Sequence, residues 1–229
     1  LASCRGIASV SPPRAFAGTL RPYQREGLAW LSFLHRYGLG GILADDMGLG
    51  KTVQVLALFA AAREAGSMCR AVVLCPVSTL ENWRAECTRF TPCLRGQIHA
   101  GPGRAKRRSE LGGADVVFVS YDTMLRDAEL FADMEITFLV LDEAQAVKNP
   151  NGKRRQALKR LKAECGIALS GTPIENSTLE LWSIMDILMP GILGSRAAFA
   201  RRFAGAMDED MDDNAEARSR LSRVIRPLI

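Results

Sequence analysis

The chain has 229 residues, of which 48% are hydrophobic, and its formal net charge is +5. This length and composition are typical of one large globular domain or one and a half, and no apolar run approaches the length of a membrane span. The mild positive charge is compatible with a nucleic-acid partner but does not establish one.

The six cysteines form no C-x-x-C pair, and there are only two histidines, so a zinc site is not expected. Scattered buried thiols favour a reducing compartment. The chain is rich in Ala and Arg, and we therefore expect a bacterial cytoplasmic protein associated with the nucleoid rather than a nuclear one. We expect a monomer without a membrane partner. Because the sequence does not begin with Met, we expect a fragment of a longer protein.

Short apolar runs alternate with helical patterns along the first three quarters of the chain. The runs are nearly all apolar, as in strands that are buried on both faces. Repeated β–α units predict an α/β fold, a mainly parallel sheet with helices on both faces. The predicted strands are 41–44, 71–75, 116–120, 138–142 and 167–169, and the predicted helices are 52–65, 79–90, 121–132 and 152–163.

After Pro173 the pattern becomes helical. Helices are predicted within 178–204, interrupted at "MPGILGS", and again over 215–225, with the acidic tract 208–213 as a surface loop. Capping boxes are possible at Ser78 with Glu81 and at Ser177 with Glu180. The predicted division is a poorly structured segment 1–18, a main lobe 19–176 and a helical extension 177–229.

The stretch "GGILADDMGLGKT" predicts a strand, a glycine loop and a helix. Gly48 and Gly50 allow positive φ and a close approach to a ligand, and successive N–H groups form an anion nest. Lys51 supplies a positive charge for phosphates, and Thr52 offers a hydroxyl to Mg²⁺ at the start of the helix. A plain glycine turn is the alternative, but the position between a strand and a helix favours phosphate binding.

Two acids precede this loop. The pattern G-x-x-x-x-G-K-S/T would place glycine at position 45, where the chain has Asp45, followed by Asp46. We expect both side chains to point away from the phosphates. They would accept hydrogen bonds from loop amides or pair with a nearby Arg or Lys, which would stiffen the loop.

The stretch "ITFLVLDEAQ" predicts a strand that delivers Asp142 and Glu143 to its carboxyl end, where open α/β sheets bind ligands. Asp142 is suited to hold Mg²⁺, partly through water, and Glu143 is suited to orient and deprotonate an attacking water. The stretch "ALSGTPIEN" follows another predicted strand, so its hydroxyls would lie at the same edge of the sheet.

These stretches occur together with "LRPYQREGLAWL", "LCPVSTLENW", "VSYDTM" and "LWSIMDILMPGILGS". The ordered set, over about 19–229, resembles the N-terminal RecA-like lobe of Swi/Snf-family ATPases of helicase superfamily two. The resemblance implies an enzyme that uses ATP and Mg²⁺ to translocate on double-stranded DNA and remodel nucleoprotein complexes.

The resemblance also assigns residues. Gln24 would recognise the adenine edge, and Lys51 and Glu143 would be catalytic. Thr52 and Asp142 would hold Mg²⁺. The remaining residues of the ATP site would be Met47, Gly48, Leu49 and Gly50. Residues coupling nucleotide state to DNA would be Gln145, Ser170 and Thr172. DNA contacts would come from Ser78, Thr79, Asn82, Ser120 and Tyr121, whereas Trp83 is expected to pack in the core.

Two departures from the family pattern matter. Gln145 occupies a position where many relatives have histidine, and glutamine does not titrate, although it still relays a hydrogen bond. The chain stops at "RVIRPLI", which in the family leads to a second RecA-like lobe carrying an arginine finger. Because such a finger is worth about 10³–10⁵ in rate, we expect this fragment to bind ATP weakly and to hydrolyse it negligibly.

Basic stretches at "GRAKRRSE" and at 153–162 are candidates either for DNA contacts or for solvated surface. Charge reversal at Lys153, Arg154 and Arg155 would test the second of them. The alternatives to a duplex translocase are a strand-separating RNA or DNA helicase, a small-molecule kinase and a non-catalytic nucleotide-binding module.

Overall fold

The computed structural model describes residues 7, 10–46, 48–171, 178–203, 221 and 225–229. Six parallel strands form one sheet in the order β1-β6-β5-β2-β4-β3, which confirms the predicted fold class. The strands are β1 (Gly41–Leu43), β2 (Ala71–Cys75), β3 (Gly96–His99), β4 (Val116–Ser120), β5 (Ile136–Leu141) and β6 (Ala163–Leu169). The helices are α1 (Pro22–Arg36), α2 (Lys51–Glu64), α3 (Leu80–Phe90), α4 (Tyr121–Arg126), α5 (Ala128–Phe131), α6 (Lys153–Leu158), α7 (Thr178–Leu188) and α8 (Arg196–Phe203).

Helices cover both faces of the sheet. Successive strand residues point to opposite faces, so Val73 packs with α1, α2 and α3 while Val72 and Leu74 pack with α4 to α8. Both faces are therefore buried, which explains why the strands are apolar at almost every position.

The strand β3 was not predicted. Its residues, "GQIH", are mostly half-buried, and it lies at the edge of the sheet with β4 as its one neighbour, so it lacks the continuous apolar run of a central strand. Helix α1 was not predicted either. It buries Leu28, Leu31 and Leu34 on one side, the spacing of an amphipathic helix.

The predicted helix 152–163 was wrong at its carboxyl end. Helix α6 ends at Leu158, and turn hydrogen bonds from the amides of Arg160 and Leu161 lead into β6, which begins at Ala163. The predicted helix 121–132 is divided at Asp127, between α4 and α5.

The capping box at Ser78 was also wrong. A short 3-10 turn, Val77–Thr79, precedes α3, and the Thr79 hydroxyl donates to the carbonyl of Pro76 at 3.0 Å instead of a side chain capping the helix. Ser177, the acidic tract and most of the predicted helix 215–225 lie outside the described residues. The predicted break at "MPGILGS" is confirmed, because it separates α7 from α8.

Three further observations concern the amino-terminal segment, the thiols and the possibility of a membrane-spanning helix. Within the segment 1–18, Phe16 is buried and stacks on Phe90 with ring centroids 5.7 Å apart. Cys75, Cys87 and Cys165 are buried, as expected, whereas Cys69 and Cys93 are exposed. None of the helices in the described ranges combines the length and the apolar character needed to cross a membrane.

Candidate functional site

All strands are parallel, so their carboxyl ends meet at one edge of the sheet, the edge at which ligands bind in open α/β folds. The loop 44–50 follows β1, Ser170 follows β6, and Asp142 follows β5. The segments beginning at Pro76 and Tyr121 follow β2 and β4. The strand order thus places the predicted phosphate loop and the acid pair two strands apart, about 10 Å by ordinary strand spacing.

The phosphate loop has the predicted backbone geometry. Gly48 and Gly50 have φ of 83° and 76°, and α2 begins at Lys51. A Cβ at Gly50 would lie 2.6 Å from Nε2 of Gln24, so the position requires glycine for both conformation and space. The amino end of a 14-residue helix is directed at this loop and favours an anion there. Met47 lies outside the described residues.

Lys51 and Asp45 are engaged inside the loop. The Nζ atom of Lys51 donates to the backbone carbonyls of Asp45 at 2.7 Å and Asp46 at 3.0 Å. The Asp45 carboxylate accepts from Nε2 of the fully buried Gln54 at 2.9 Å. Asp45 therefore braces the loop against α2, but its donor is a glutamine amide and not the loop amide or basic side chain that we expected.

Gln24 is also bonded to the loop. Its Nε2 donates to the carbonyl of Leu49 at 3.1 Å, and its Oε1 accepts from the amide of Arg21 at 2.9 Å. The hydroxyl of Tyr23 donates to the same Leu49 carbonyl at 3.0 Å. The adenine contact of Gln24 stays a prediction, and the structure adds that Gln24 and Tyr23 hold the loop from the side of α1.

Asp142 is held by four hydrogen bonds, one of which its own amide donates to the carbonyl of Leu74 at 2.8 Å. Its Oδ2 accepts from Nε1 of Trp83 at 2.8 Å, and its Oδ1 accepts from the amide of Glu143 at 3.1 Å. Its backbone carbonyl accepts from the hydroxyl of Tyr121 at 2.8 Å. Burial raises the pKa of Asp142 above its ordinary value, against the lowering effect of the Trp83 hydrogen bond. A nearby cation would therefore be favoured, because it would compensate the partly buried carboxylate.

Glu143 has a backbone conformation that residues other than glycine rarely adopt. Its φ is 50°, and it is the one non-glycine residue in the described ranges with positive φ. Such strain is found at functional sites, where the surrounding structure maintains it. Nε2 of Gln145 donates to Oε2 of Glu143 at 2.6 Å. Gln145 thus orients the carboxylate that is predicted to act on water.

The residues at this edge suit Mg²⁺. Mg²⁺ uses one or two protein oxygens and completes its octahedron with water and phosphate. Thr52 in the first turn of α2 and the carboxylate of Asp142 supply such oxygens, and each Asp142 oxygen retains acceptor capacity beyond its one hydrogen bond. Within the described ranges no three acidic, Cys or His residues cluster as for an all-protein metal site.

Of the other two predicted coupling residues, the structure describes Ser170 only. Ser170 is buried directly after β6, and its amide donates to the carbonyl of Leu43 at 3.2 Å, which ties the end of β6 to β1. It lies at the expected edge of the sheet. Thr172 lies outside the described residues.

The predicted DNA contacts divide into two groups. Ser78 and Asn82 are exposed at the start of α3, beside the half-buried Thr79, and their side chains are accessible to a partner. Ser120 and Tyr121 are 4% and 5% exposed. Their burial does not fit side-chain contact with DNA: Ser120 Oγ caps α4 by accepting from the amide of Thr123 at 3.2 Å, and Tyr121 bonds Asp142.

The basic stretch 153–162 is largely engaged in ion pairs. Arg155 is buried, pairs with Asp186 and lies over the ring of Trp182 at 4.8 Å. Lys159 donates to the same Asp186 carboxylate at 2.9 Å. Reversing the charge of Arg155 would therefore test folding and not DNA binding. The other paired residues are Arg154 with Asp122 and Arg160 with Glu129, whereas Lys153 is exposed.

In "GRAKRRSE", Arg104 forms a two-bond pair with Asp127, whose Oδ2 also lies 2.8 Å from Nε2 of the fully buried His99. This cluster joins the end of β3 to the α4–α5 junction, a structural role. Lys106 and Arg107 are exposed and keep the DNA hypothesis open for this loop.

Known proteins are similar to this chain in sequence and in fold. The sequence model of a family described as "SNF2-related domain" matches residues 23–229. The chain is 42% identical over 224 residues to a putative ATP-dependent helicase/translocase, YwqA, of Bacillus subtilis; the match covers 96% of this chain and 24% of that protein. It is 41% identical to the TATA-binding protein-associated factor mot1 of Aspergillus fumigatus, covering 87% of this chain and 11% of that protein.

Solved structures of related proteins have the same fold as this chain. The SWI2/SNF2 ATPase core of Sulfolobus solfataricus in complex with dsDNA superposes with a TM-score of 0.87 and 39% identity, covering 97% of this chain and 46% of that one. The same core domain in a second structure gives a TM-score of 0.86. The chain thus spans less than half the length of each of these proteins.

Proposed function

Because the chain belongs to the SNF2-related domain family, we propose that it is the ATP-binding lobe of a DNA-dependent ATPase. The whole protein would translocate on double-stranded DNA and remodel protein–DNA complexes. The observation that carries the proposal is the pairing of two half-sites at one sheet edge. The phosphate loop ending in Lys51 lies after β1, and the Asp142–Glu143 pair lies after β5.

In this proposal different residues of the site bind ATP, hold the metal ion and activate the attacking water. The loop amides, the start of α2 and Nζ of Lys51 bind the phosphates, and Gln24 contacts adenine. Thr52 and Asp142 hold Mg²⁺, which when bound neutralises phosphate charge. Glu143 accepts a proton from the attacking water, and Gln145 keeps its carboxylate in place through the 2.6 Å hydrogen bond.

Lys51 has to exchange partners to do this. It now donates to two carbonyls of its own loop, and a phosphate oxygen is a stronger, charged acceptor. The exchange leaves the loop braced by the Gln54–Asp45 and Gln24–Leu49 hydrogen bonds, which do not involve Lys51. The two acids of "ADDMGLGKT" are thus compatible with phosphate binding. The Asp45 carboxylate is bonded to Gln54 of α2, and the backbone carbonyls of Asp45 and Asp46 accept hydrogen bonds from Lys51.

The whole protein would also need a second RecA-like lobe with an arginine finger. Support comes from length, since this chain covers 46% of the matched ATPase core and 24% of the Bacillus relative. We expect the isolated 229-residue chain to bind ATP weakly and to hydrolyse it negligibly. We further propose a monomer acting on DNA in a bacterial cytosol, supported by the Bacillus relative, although fungal relatives match almost as well.

Double-stranded DNA is the proposed partner. The Sulfolobus core was solved in complex with dsDNA, and the exposed Ser78 and Asn82 lie at the carboxyl edge of the sheet in the present fold. The amides of Thr79 and Leu80 are bonded to the carbonyls of Pro76 and Val77 in the turn before α3, so the proposed phosphate contacts come from the exposed side chains of Ser78 and Asn82.

The test measures ATP hydrolysis by the full-length protein with duplex DNA, with single-stranded DNA and without DNA. We expect duplex DNA to raise kcat more than single-stranded DNA of equal nucleotide content. Equal stimulation by single strands, together with strand separation, would instead indicate the helicase alternative. Absence of any ATP hydrolysis under all three conditions would contradict the proposed enzyme.

A further inference from the structure

Two buried aromatic side chains contact Asp142 from the elements that follow β2 and β4. Nε1 of Trp83, in α3, donates to Oδ2, and the hydroxyl of Tyr121, the first residue of α4, donates to the backbone carbonyl, both at 2.8 Å. We propose that Trp83 and Tyr121 are positioning residues for Asp142 that make hydrolysis depend on DNA bound at the start of α3. This inference rests on the proposed DNA-dependent ATPase function.

The order of the strands supports a coupling route that runs from the helices after β2 and β4 through Asp142 to the ATP site. In the order β1-β6-β5-β2-β4-β3, the phosphate loop lies on one side of β5, and the segments after β2 and β4 lie on the other. A displacement of the starts of α3 or α4 therefore meets the ATP site first at the end of β5, which is Asp142. Gln145 and Ser170, the coupling residues expected from the sequence, follow β5 and β6 and so lie on the nucleotide side of this route.

The burial of both rings makes them suitable for transmitting small displacements. Trp83 is 1% exposed and packs on Phe118, with ring centroids 6.2 Å apart, and Tyr121 is 5% exposed. Close-packed interiors move as units, so a shift of α3 carries the indole N–H with it. A hydrogen bond of 2.8 Å is lost when its atoms separate by roughly 1 Å more.

The outer end of the α3 route is accessible. Val77, 71% exposed, and Ser78 form the turn before α3, and the exposed Asn82 directly precedes Trp83 in the helix. A phosphate bound at this helix start would pull on the residues that fix the indole. Helix α6 also lies close to Tyr121, because the guanidinium carbon of Arg154 is 6.0 Å from the centroid of the tyrosine ring.

The expected size of the effect follows from the position of the two donors. Groups that hydrogen-bond a metal ligand from outside fix its orientation, and their removal typically changes metal affinity or activity about 10- to 100-fold. Trp83 bonds the carboxylate itself, and Tyr121 bonds only the backbone of the same residue. The loss of the Trp83 bond should therefore have the larger effect.

The test uses the full-length protein and the variants Trp83→Phe and Tyr121→Phe, which remove one donor each and keep an aromatic ring. Trp182→Phe is the matched control: it also loses an indole N–H bond, but in α7, where the acceptor is the carbonyl of Gly194 at 3.1 Å and not Asp142. The measured quantities are the ratio of kcat with and without saturating duplex DNA, the Kd for that DNA, and Tm.

We expect Trp83→Phe to lower kcat with saturating duplex DNA about 10-fold. The rate without DNA should fall less, so the stimulation ratio falls at an unchanged Kd for DNA, and Tyr121→Phe should lower it less. Trp182→Phe should retain the wild-type ratio. A merely structural role for Trp83 would lower Tm and both rates together and leave the ratio unchanged, which overturns the inference. If Trp83→Phe does not fold, an unchanged ratio in Tyr121→Phe overturns it. Wild-type protein without DNA stimulation would instead refute the proposed function.

Discussion

The ammonium of Lys51 lies 2.7 Å from the backbone carbonyl oxygen of Asp45 and donates to it, so the lysine closes the loop from which it projects. Both residues belong to the segment that turns out of β1 into α2. The lysine is thereby positioned at the centre of the loop, where a phosphate would compete with the two carbonyls for its protons.

The first prediction concerns this lysine. Lys51→Ala in the full-length protein should lower ATP hydrolysis by about 10²-fold or more, because removing a donor to a charged transition state costs on that order. Lys148→Ala is the matched control, since Lys148 pairs with Glu180 at 3.1 Å on the surface. Comparable losses in the two variants would show that Lys51 has no special role.

A second prediction concerns the brace behind the loop. In Gly27→Ala, the new Cβ would lie 1.7 Å from Oε1 of Gln54, so the glutamine must move and its hydrogen bond to Asp45 is disturbed. Alanine favours a helix by about 1 kcal/mol over glycine, yet we expect the free energy of unfolding to fall by about 1–3 kcal/mol from the clash. Urea denaturation measures it.

The control for that experiment is Gly103→Ala. A Cβ at Gly103 meets nothing within 4 Å, so its free energy of unfolding should stay within about 0.5 kcal/mol of wild type. A stabilised Gly27→Ala protein would show that Gln54 relocates freely and does not brace Asp45.

A third prediction separates neighbouring arginines of α6. Arg155→Met breaks a buried pair with Asp186, whose side chains are 8% and 9% exposed, and should cost about 3–5 kcal/mol. Arg154→Met breaks an exposed pair with Asp122 and should cost at most about 1 kcal/mol. Chemical denaturation of both variants gives the comparison, and equal costs would contradict the assigned structural role of Arg155.

A fourth prediction concerns acid pH. Hydrogen bonding to Arg104 lowers the pKa of Asp127 from 3.8 to about 2, with a smaller contribution from His99. A carboxyl whose pKa is lower in the folded state stabilises the protein above its unfolded pKa, and this stabilisation is lost as the pH falls from about 4 towards 2. The difference in unfolding free energy between wild type and Asp127→Asn should therefore shrink over that interval. A difference independent of pH would refute the assignment.

Much of the fold could be predicted from local pattern. The runs "AVVLC" and "VVFVS" are apolar except for the final Ser120 and indicate strands buried on both faces, and both matched the structure residue for residue. The edge strand β3 could not be found in this way, because one neighbour and partial burial leave it with Gln97 and His99 in place of an apolar run.

The candidate site shows a similar division. Lys51, Asp142 and Glu143 follow from motifs, since each motif is contiguous in sequence. The contacts that hold them join residues distant along the chain: Trp83 meets Asp142 across 59 positions, and Tyr23 meets Leu49 across 26. Arg155 looks like a solvated basic residue in sequence, and only the packing of α6 on α7 reveals its partner Asp186.

The most direct test of the central claim is ATP hydrolysis by the full-length protein and its Glu143→Gln variant in the presence of duplex DNA. We predict that wild type hydrolyses ATP in a DNA-stimulated manner. Loss of a general base typically costs about 10²- to 10⁴-fold, so kcat of the variant should fall by that factor while it still binds ATP. A Glu143→Gln protein that hydrolyses ATP at the wild-type rate would contradict the account.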